Sequence, residues 1–347
     1  MQNFSIHDEI KLKDLLKEYK IKPFRYSQIE NAIYKNFIKN FDDIKTIPKD
    51  LQKLLQKNCF FDSLKVDSIN NSSNKQTTKI LFKTKTDKPI ESVIMRHLTW
   101  RITLCVSSQS GCPMNCAFCS TGKLWLLKNL EFHEIIEQIF YAYHLINDEG
   151  ERLRNVVFMG MWEPMLNYDN VKKAINFITD QKKLDLSNRR ITVSTCGIVP
   201  KIKEFTNDFS QISLAISLHA PNSKIRKQLM PIEKTYPIKD LMKSLDDYVN
   251  KRNRKVFYEY TMIEWINDNI KLAHELWKLL KWRLAHVNFI PYNSSKWNYS
   301  FNFVSSPRST IEKFQKILQH YWVVSTIRAT MWENIDAACW QLASREL

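Results

Sequence analysis

Residues 111–125 read GCPMNCAFCSTGKLW, and this stretch decides how the rest of the chain is interpreted. Its three cysteines, Cys112, Cys116 and Cys119, stand at gaps of three and two residues, directly after the apolar, strand-like segment RITLCVSS. A structural zinc ion takes four protein ligands, so a zinc site here would need a fourth ligand from elsewhere in the chain. Three cysteines alone point to a different use.

A 4Fe-4S cluster held by three cysteines leaves one iron open to a substrate atom. Reductive cleavage of S-adenosylmethionine needs that arrangement, because the amino and carboxylate groups of the cosubstrate must chelate iron. The spacing, with an aromatic residue before the last cysteine, is typical of such a cluster loop. We therefore predict one 4Fe-4S cluster, with a zinc site as the alternative.

From about residue 100 onward, strand patterns and helix patterns alternate. RITLCVSS, NVVFMGM, RRITVSTC and QISLAISLHA read as strands, and amphipathic segments such as FHEIIEQIFYAYHLI read as helices between them. Alternation of this kind predicts an α/β fold with a parallel sheet, in the form of an open or partial barrel. We predict helices over residues 1–60, a small β extension or linker over 61–98, and the core domain over 99–347.

The composition limits the class of partner. The chain carries 52 Lys and Arg against 36 Asp and Glu, a net charge of +16. Such a surplus suits a polyanionic partner, although a basic proteome or a charge kept for solubility would also produce it. The N-terminal segment lacks a signal peptide pattern, and no apolar run approaches the length of a membrane helix. We expect a cytoplasmic protein that binds no membrane and acts as a monomer.

Six segments together resemble one family, the radical-SAM RNA adenine-C2 methyltransferases. They are TLCVSSQSGCPMNCAFCSTG, NVVFMGMWEPMLNYDNV, RRITVSTCGIVP, SLAISLHAPN, VNFIPYN and IDAACWQLA. The resemblance implies a partial (β/α)6 radical-SAM barrel with a helical accessory domain. It also implies methylation of an adenosine in 23S rRNA and of another in the tRNA anticodon loop, with two S-adenosylmethionine molecules used per turnover. A flavodoxin-like or ferredoxin-like protein would supply the electron.

The resemblance also implies residue roles. The cluster ligands would be Cys112, Cys116 and Cys119. The cosubstrate pocket would contain Trp162, Glu163, Ser194, Ser217, Leu218, His219 and Asn293. The catalytic residues would be Cys339, which is methylated and attacks the RNA, Glu91, which accepts a proton, and Cys105, the second thiol that helps to release product.

The residue types fit that chemistry. C2 of adenine is not nucleophilic, so a radical can methylate it where an ordinary polar transfer cannot. The covalent protein–RNA adduct that results needs a base and a second sulfur to resolve it. Each residue also has a structural interpretation: Cys105 as a small buried hydrophobe, Glu91 as a surface charge and His219 as a core histidine. Two alternative functions remain. The enzyme would methylate C8 of the same rRNA adenosine, or the protein would bind RNA without catalysis and be stabilised by a structural zinc ion.

Tryptophan occupies positions where the family has glycine. GMWEP stands where the family has GMGEP, and the same exchange recurs across the chain, at Trp125, Trp162, Trp265, Trp322, Trp332 and Trp340. The chain has 5 glycines and 10 tryptophans, whereas glycine averages about 7% of residues in proteins. We therefore hypothesise that a codon translated here as Trp, most simply UGA, is read as Gly in the source organism. A divergent or inactive homologue is the alternative.

Overall fold

The computed structural model describes residues 3–161, 163–293 and 303–328, together with residues 335, 341 and 342. Within these residues the helices are α1 (Glu9–Glu18), α2 (Phe24–Tyr34), α3 (Lys49–Asn58), α4 (Phe132–Asp148), α5 (Tyr168–Thr179), α6 (Val199–Asp208), α7 (Ser223–Leu229), α8 (Ile238–Arg252), α9 (Ile270–Leu280) and α10 (Arg308–His320). The strands are β1 (Phe4–Ser5), β2 (Cys59–Phe60), β3 (Lys65–Asn71), β4 (Thr77–Lys83), β5 (Pro89–Arg96), β6 (Ile102–Val106), β7 (Gln109–Gly111), β8 (Leu126–Asn129), β9 (Leu153–Phe158), β10 (Ile191–Thr195), β11 (Ser213–Ser217), β12 (Val256–Met262), β13 (Ala285–Pro291) and β14 (Val324–Ile327).

One large sheet organises the described residues. Its strand order is β14-β13-β12-β11-β10-β9-β6-β5-β4-β3. The strands from β6 to β14 in that order pair in parallel, and helices connect most of them. This confirms the predicted α/β fold with its parallel, barrel-like sheet. In such folds, ligands bind at the carboxyl ends of the parallel strands.

The segment predicted as a small β extension or linker continues the main sheet. β3, β4 and β5 form an antiparallel meander, and β5 pairs with β6 in antiparallel register, with Val93 opposite Cys105. The sequence predicted β structure in this segment, whereas the pairing of β5 with β6 is a contact between segments that local periodicity does not encode. The domain boundaries themselves stay a prediction.

The two faces of the sheet are packed differently. Helices cover the outer face, where Ile135, Ile136 and Ile139 of α4 are completely buried. On the inner face a smaller apolar cluster gathers Val93, Cys105, Met159, Met161, Ala215 and Leu342. Strands buried on both faces read as nearly continuous apolar runs, as SLAIS of β11 does. Cavities lie next to the inner cluster, and polar side chains face them.

The N-terminal helices pack on the core through an aromatic cluster. The ring of His7 stacks on Phe140 of α4 with centroids 5.0 Å apart, and it lies 5.8 Å from the ring of Tyr34 of α2. Burial, followed by the charges of His133 and Lys183, lowers the pKa of His7 from 6.5 to about 3. A neutral imidazole therefore joins the accessory helices to the core. In the described part of the chain, no helix is both long enough and apolar enough to cross a bilayer.

Candidate active site

The cysteine loop begins where the short strand β7 ends. Gly111 has a φ of +74°, and a Cβ at that position would come within 1.7 Å of the carbonyl oxygen of Trp125. The same carbonyl accepts the N–H of Cys112 at 2.9 Å. Only glycine fits such an approach, so Gly111 closes the loop back on itself. The turn directs Cys112, Cys116 and Cys119 toward one cavity.

That cavity, here called the cysteine cavity, lies at the carboxyl ends of the parallel strands. Its lining includes the three cysteines together with Ser194, Ser217 and His219. Ser194 lies in β10, Ser217 ends β11, and His219 follows two residues later. The structure therefore brings together residues that lie far apart in sequence and that were assigned to the cluster and the cosubstrate.

The cysteines suit a cluster that supplies positive charge. Burial raises the pKa of all three thiols, and repulsion from Cys119 raises that of Cys112 and Cys116 further. Thiolates at this site need cationic iron to be stable, and metal binding must displace their protons. Among the described residues, no group of three or more His, Cys, Asp or Glu is arranged for a single metal ion. A 4Fe-4S cluster does not require such a group, because each thiolate binds a different iron.

Glu163 is a completely buried carboxylate beside this cavity. Its Oε1 accepts the N–H of Met165 at 3.0 Å and the hydroxyl of Thr195 at 2.8 Å, and its Oε2 accepts the N–H of Cys196 at 2.7 Å. Burial raises the pKa of Glu163, and these hydrogen bonds oppose the rise. Such a carboxylate gains stability from a cationic neighbour, and the ammonium group of a methionine moiety is one.

His219 is buried and neutral. Its Nδ1 accepts the N–H of Thr261 at 3.0 Å, so the proton resides on Nε2. Burial, followed by the charge of Arg226, lowers the pKa of His219 from 6.5 to about 3. Its ring meets Phe118 of the cysteine loop edge-on at 4.8 Å. His219 is therefore both a satisfied core histidine and a cavity residue.

Three described residues assigned to the cosubstrate pocket do not line the cysteine cavity. Glu163 reaches it only through its hydrogen bond to Cys196. The side chain of Leu218 is completely buried in the main core and does not line the cysteine cavity, while its N–H donates to the carbonyl of Glu259 at 3.1 Å. Asn293 lies just beyond β13 and is half-buried, and it is also absent from the lining. Trp162, which was also assigned to this pocket, falls outside the described residues.

Glu91 and Cys105 lie on neighbouring strands of the inner face. Glu91 belongs to β5, and Cys105 in β6 stands opposite Val93, two residues from Glu91 on the same face. Glu91 is 2% exposed and lies 3.6 Å from the ammonium group of Lys79. The interpretation of Glu91 as a surface charge is therefore wrong, because the side chain is buried and ion-paired.

Cys339 falls outside the described residues. The described residues nearest to it in sequence, Gln341 and Leu342, are buried. Leu342 joins the inner cluster with Cys105, and its carbonyl accepts the hydroxyl of Thr121 in the cysteine loop.

Three further residues of the site were not found in the sequence. Cys196 lines the cysteine cavity and donates from its backbone to Glu163. Lys79 is a buried lysine, and Glu259 is a buried carboxylate that lines the cysteine cavity. The only sequence signal was a charged residue inside each strand pattern, which marks Lys79 in TTKILFK and Glu259 in VFYEYTM.

Tryptophan recurs at backbone positions that favour glycine. Of the six described tryptophans, five have positive φ, between 52° and 67°: Trp100, Trp125, Trp265, Trp282 and Trp322. Each is between 63% and 97% exposed. Only a few per cent of non-glycine residues have positive φ, and Trp125, with φ 52° and ψ −177°, lies in a region that is essentially restricted to glycine. Trp277, the sixth, lies in helix α9 and stacks on Tyr321 at 3.8 Å.

Comparison with known proteins identifies the family. Residues 106–276 match the family model of the Radical SAM superfamily. A protein of Clostridium botulinum (strain Okra / Type B1), named "Probable dual-specificity RNA methyltransferase RlmN", is 42% identical over 331 residues, which is 95% of each chain. A protein of the same name from Dictyoglomus thermophilum is 39% identical over 99% of this chain and 97% of its own. The chain belongs to the RlmN-type radical SAM RNA methyltransferases.

A solved structure supports the RlmN-type assignment. The crystal structure of a radical SAM methyltransferase from Sphaerobacter thermophilus superposes with a TM-score of 0.93 at 33% identity, covering 97% of this chain and 98% of that one. The fold class and the resemblance inferred from sequence are thus both confirmed. Membership of this family implies a 4Fe-4S cluster and S-adenosylmethionine, which agrees with the cysteine cavity described above.

Proposed function

We propose that this RlmN-type enzyme methylates C2 of adenosine in 23S rRNA and in the tRNA anticodon loop, through an S-methylcysteine on Cys339. One observation carries the proposal. A buried thiol and a buried carboxylate, Cys105 and Glu91, share the inner face of the sheet, and Met159 of the same inner cluster also lines the cysteine cavity. A cluster that only cleaves a cosubstrate requires neither a second thiol nor a base on the inner face of the sheet.

Different residues of the chain bind and orient the cosubstrate. Glu163 binds the ammonium group of the cosubstrate, and Ser194, Ser217 and His219 orient its remaining polar groups. A cluster held by Cys112, Cys116 and Cys119 would supply the electron for cleavage of S-adenosylmethionine to a 5′-deoxyadenosyl radical.

Catalysis after cleavage depends on three side chains. One S-adenosylmethionine methylates Cys339, and a second one provides the radical that activates this methyl group for addition to C2. Glu91 then accepts the C2 proton, and the unpaired electron of the adduct passes to a one-electron acceptor, which the cluster oxidised in the cleavage step would provide. The sulfur of Cys105 bonds to that of Cys339 while the sulfur–carbon bond to the base breaks, and the carbon keeps the electron pair and takes up a proton.

The experiment uses anaerobically prepared enzyme with glycine in place of the six tryptophans suspected from the sequence, together with S-adenosylmethionine, a chemical reductant and two RNAs, an rRNA fragment and a tRNA. Nuclease digestion and mass spectrometry should reveal 2-methyladenosine in both, and Cys112→Ala should abolish it. Finding 8-methyladenosine alone would establish the C8 alternative. A colourless protein with zinc and no iron would establish the non-catalytic one.

The electron donor, the location and the oligomeric state of the protein are proposed on the basis of the same chemistry. A one-electron donor of low potential is required, so we propose a flavodoxin-like or ferredoxin-like partner. We also propose that the protein is cytoplasmic, since ribosomal RNA and tRNA are processed there, and that it acts as a monomer.

We further infer that the natural protein carries glycine at the five tryptophans with positive φ. Trp125, Trp265 and Trp322 were suspected from the sequence, while Trp100 and Trp282 are added by their backbone geometry. A family glycine at position 162 would leave room for the cosubstrate, whereas an indole there would compete with it. Trp162, Trp332 and Trp340 lie outside the described residues, and the inference extends to them by the same sequence pattern.

A further inference from the structure

A second cavity lies on the inner face of the sheet, next to the cysteine cavity. Its volume is about 430 Å³, within the range of about 300–1,000 Å³ for small-molecule sites. Cys105 is part of its wall. Met159, Glu259 and Arg328 line both cavities, so this inner cavity adjoins the site where the cosubstrate would be cleaved.

Charge in the inner cavity is unevenly distributed. Arg101 and Arg328 line it, and Arg101 is exposed to solvent. Burial lowers the pKa of the nearby His97, and the positive charges of Arg101 and Arg328 lower it further. Among the described residues that line the cavity, Glu259 is the one acid, and it is 5% exposed. The exposed side is thus cationic, and a single carboxylate lies deeper.

Among the described residues, hydrogen bonds hold the carboxylate of Glu259 through one of its two oxygens. Its Oε1 accepts the amide of Asn288 at 2.9 Å and the guanidinium of Arg328 at 3.2 Å. Asn288 is itself fixed, since its own oxygen accepts the hydroxyl of Thr326 at 2.8 Å. Oε2 is buried and has no hydrogen-bond partner in the described part of the chain. A buried carboxylate oxygen without a donor is costly, so a ligand that donates a hydrogen bond there gains affinity.

We propose that the inner cavity receives the target adenosine of the RNA, with Glu259 accepting the exocyclic amine of the base and Arg101 pairing with a backbone phosphate. The inference rests on the proposed function and deepens it. A phosphate suits the cationic, exposed side, and an amine suits the single carboxylate. Guanine presents a carbonyl oxygen where adenine has its amine, so Glu259 would repel it. Cys105 in the wall would then lie beside the bound base.

A double-mutant cycle tests the role of Glu259. Its two changes are Glu259→Gln in the cluster-loaded enzyme and replacement of the target adenosine by purine riboside, which lacks the amine, in an anticodon stem-loop. Fluorescence anisotropy measures the dissociation constants. Wild type should bind the purine riboside RNA about 10- to 100-fold more weakly, as expected for a hydrogen bond to a charged group. Glu259→Gln should bind both RNAs equally, at the weakened level.

Each enzyme is compared with itself in this cycle, so a partly unfolded variant does not distort the ratio. If Glu259→Gln discriminates between the two RNAs as wild type does, the proposal is wrong. A loss of S-adenosylmethionine affinity in that variant, with RNA discrimination kept, would assign Glu259 to the cosubstrate ribose instead. Production of 2-methyladenosine by the glycine-restored enzyme separates the two hypotheses. Its absence refutes the proposed function, and its presence leaves only the role of Glu259 to be decided by the binding data.

Arg101 has its own test and a matched control. Arg101→Gln should weaken binding of both RNAs equally and reduce the slope of log affinity against log salt by about one. Lys278→Gln removes the same charge from the exposed side of α9 and should change neither quantity. Equal effects of the two substitutions would show a nonspecific charge effect and overturn the role of Arg101.

Discussion

The carboxylate of Glu163 accepts the backbone N–H of Cys196 at 2.7 Å, which joins the loop after β9 to the loop after β10. The same carboxylate accepts from Met165 and Thr195. Every group that faces it in these contacts is a donor. An acceptor at position 163 therefore serves the structure of the site, in addition to the cosubstrate binding that we propose for it.

Glu163→Gln should damage both roles. The amide keeps one acceptor oxygen, but its NH₂ group would face the N–H of Cys196. We expect a loss of about 1–3 kcal/mol in the free energy of unfolding, measured by urea titration, and weaker S-adenosylmethionine binding, measured by equilibrium dialysis. Glu204→Gln, which breaks the exposed ion pair with Lys201, is the control and should change neither. Unchanged cosubstrate affinity in Glu163→Gln would remove Glu163 from the binding site.

Replacing the tryptophans that have positive φ should increase the stability of the protein. A left-handed backbone costs a residue other than glycine about 1–2 kcal/mol, so glycine at positions 100, 125, 265, 282 and 322 should raise the melting temperature. Trp277→Gly is the matched control and should lower stability by about 1–3 kcal/mol, because it places glycine inside α9 and removes the stacking on Tyr321.

Protein made by the source organism provides a second readout. Its peptides should carry glycine masses at the five positions and a tryptophan mass at Trp277. Tryptophan masses at positions 125 and 265 would contradict recoding. The inactive homologue would then become the better explanation.

The cysteine loop and the order of strands and helices could be predicted because their signals are local. The three cysteines lie within eight residues, so their proximity is visible in the sequence without a tertiary structure. Hydrophobic periodicity identifies β9 or α4 directly. The pairs Lys79–Glu91 and Asn288–Glu259 could not be predicted, because each joins neighbouring strands whose register depends on the assembled sheet.

The pH dependence of stability should include a contribution from His7. Its pKa is about 3 in the folded protein against 6.5 ordinarily, so only the unfolded chain takes up its proton between those values. The stability from this group is complete above pH 6.5 and is lost as the pH falls toward 3. Between pH 6.5 and pH 5 the loss should be about 2 kcal/mol, at about 1.4 kcal/mol per pH unit.

His7→Phe should remove that part of the pH dependence, since phenylalanine keeps the stacking on Phe140 and takes up no proton. Chemical denaturation of wild type and variant at both pH values measures it. Circular dichroism at neutral pH controls for folding. An identical pH dependence in the two proteins would contradict the assignment to His7.

The buried pair of Lys79 and Glu91 should be sensitive to the loss of one partner. Lys79→Met leaves a buried carboxylate without this ammonium group, and we expect a loss of about 3–5 kcal/mol, whereas Lys79→Met with Glu91→Leu should recover much of it. Arg308→Met breaks the exposed pair with Glu312 and should cost less than about 1 kcal/mol. A double variant no more stable than Lys79→Met would show that the two charges are not coupled.

The two thiols that we propose as catalytic should fail in different ways when replaced. Cys339→Ala removes the proposed methyl carrier, so no covalent RNA species forms and turnover never begins. Cys105→Ala leaves methylation and radical addition intact but stalls the release of product, so protein joined covalently to RNA should accumulate. Loss of packing alone at Cys105, in a cluster with Val93 and Met159, would cost about 1 kcal/mol and trap no RNA.

Both variants are best built with glycine restored at the recoded positions, so that an indole does not block the cosubstrate. After nuclease treatment, intact-mass spectrometry should find a nucleotide attached to Cys105→Ala and none on Cys339→Ala. The double variant is the control and should also carry none, because the adduct requires Cys339. A Cys105→Ala protein that carries no nucleotide, although wild type methylates the same RNA, would show that Cys105 does not resolve the adduct.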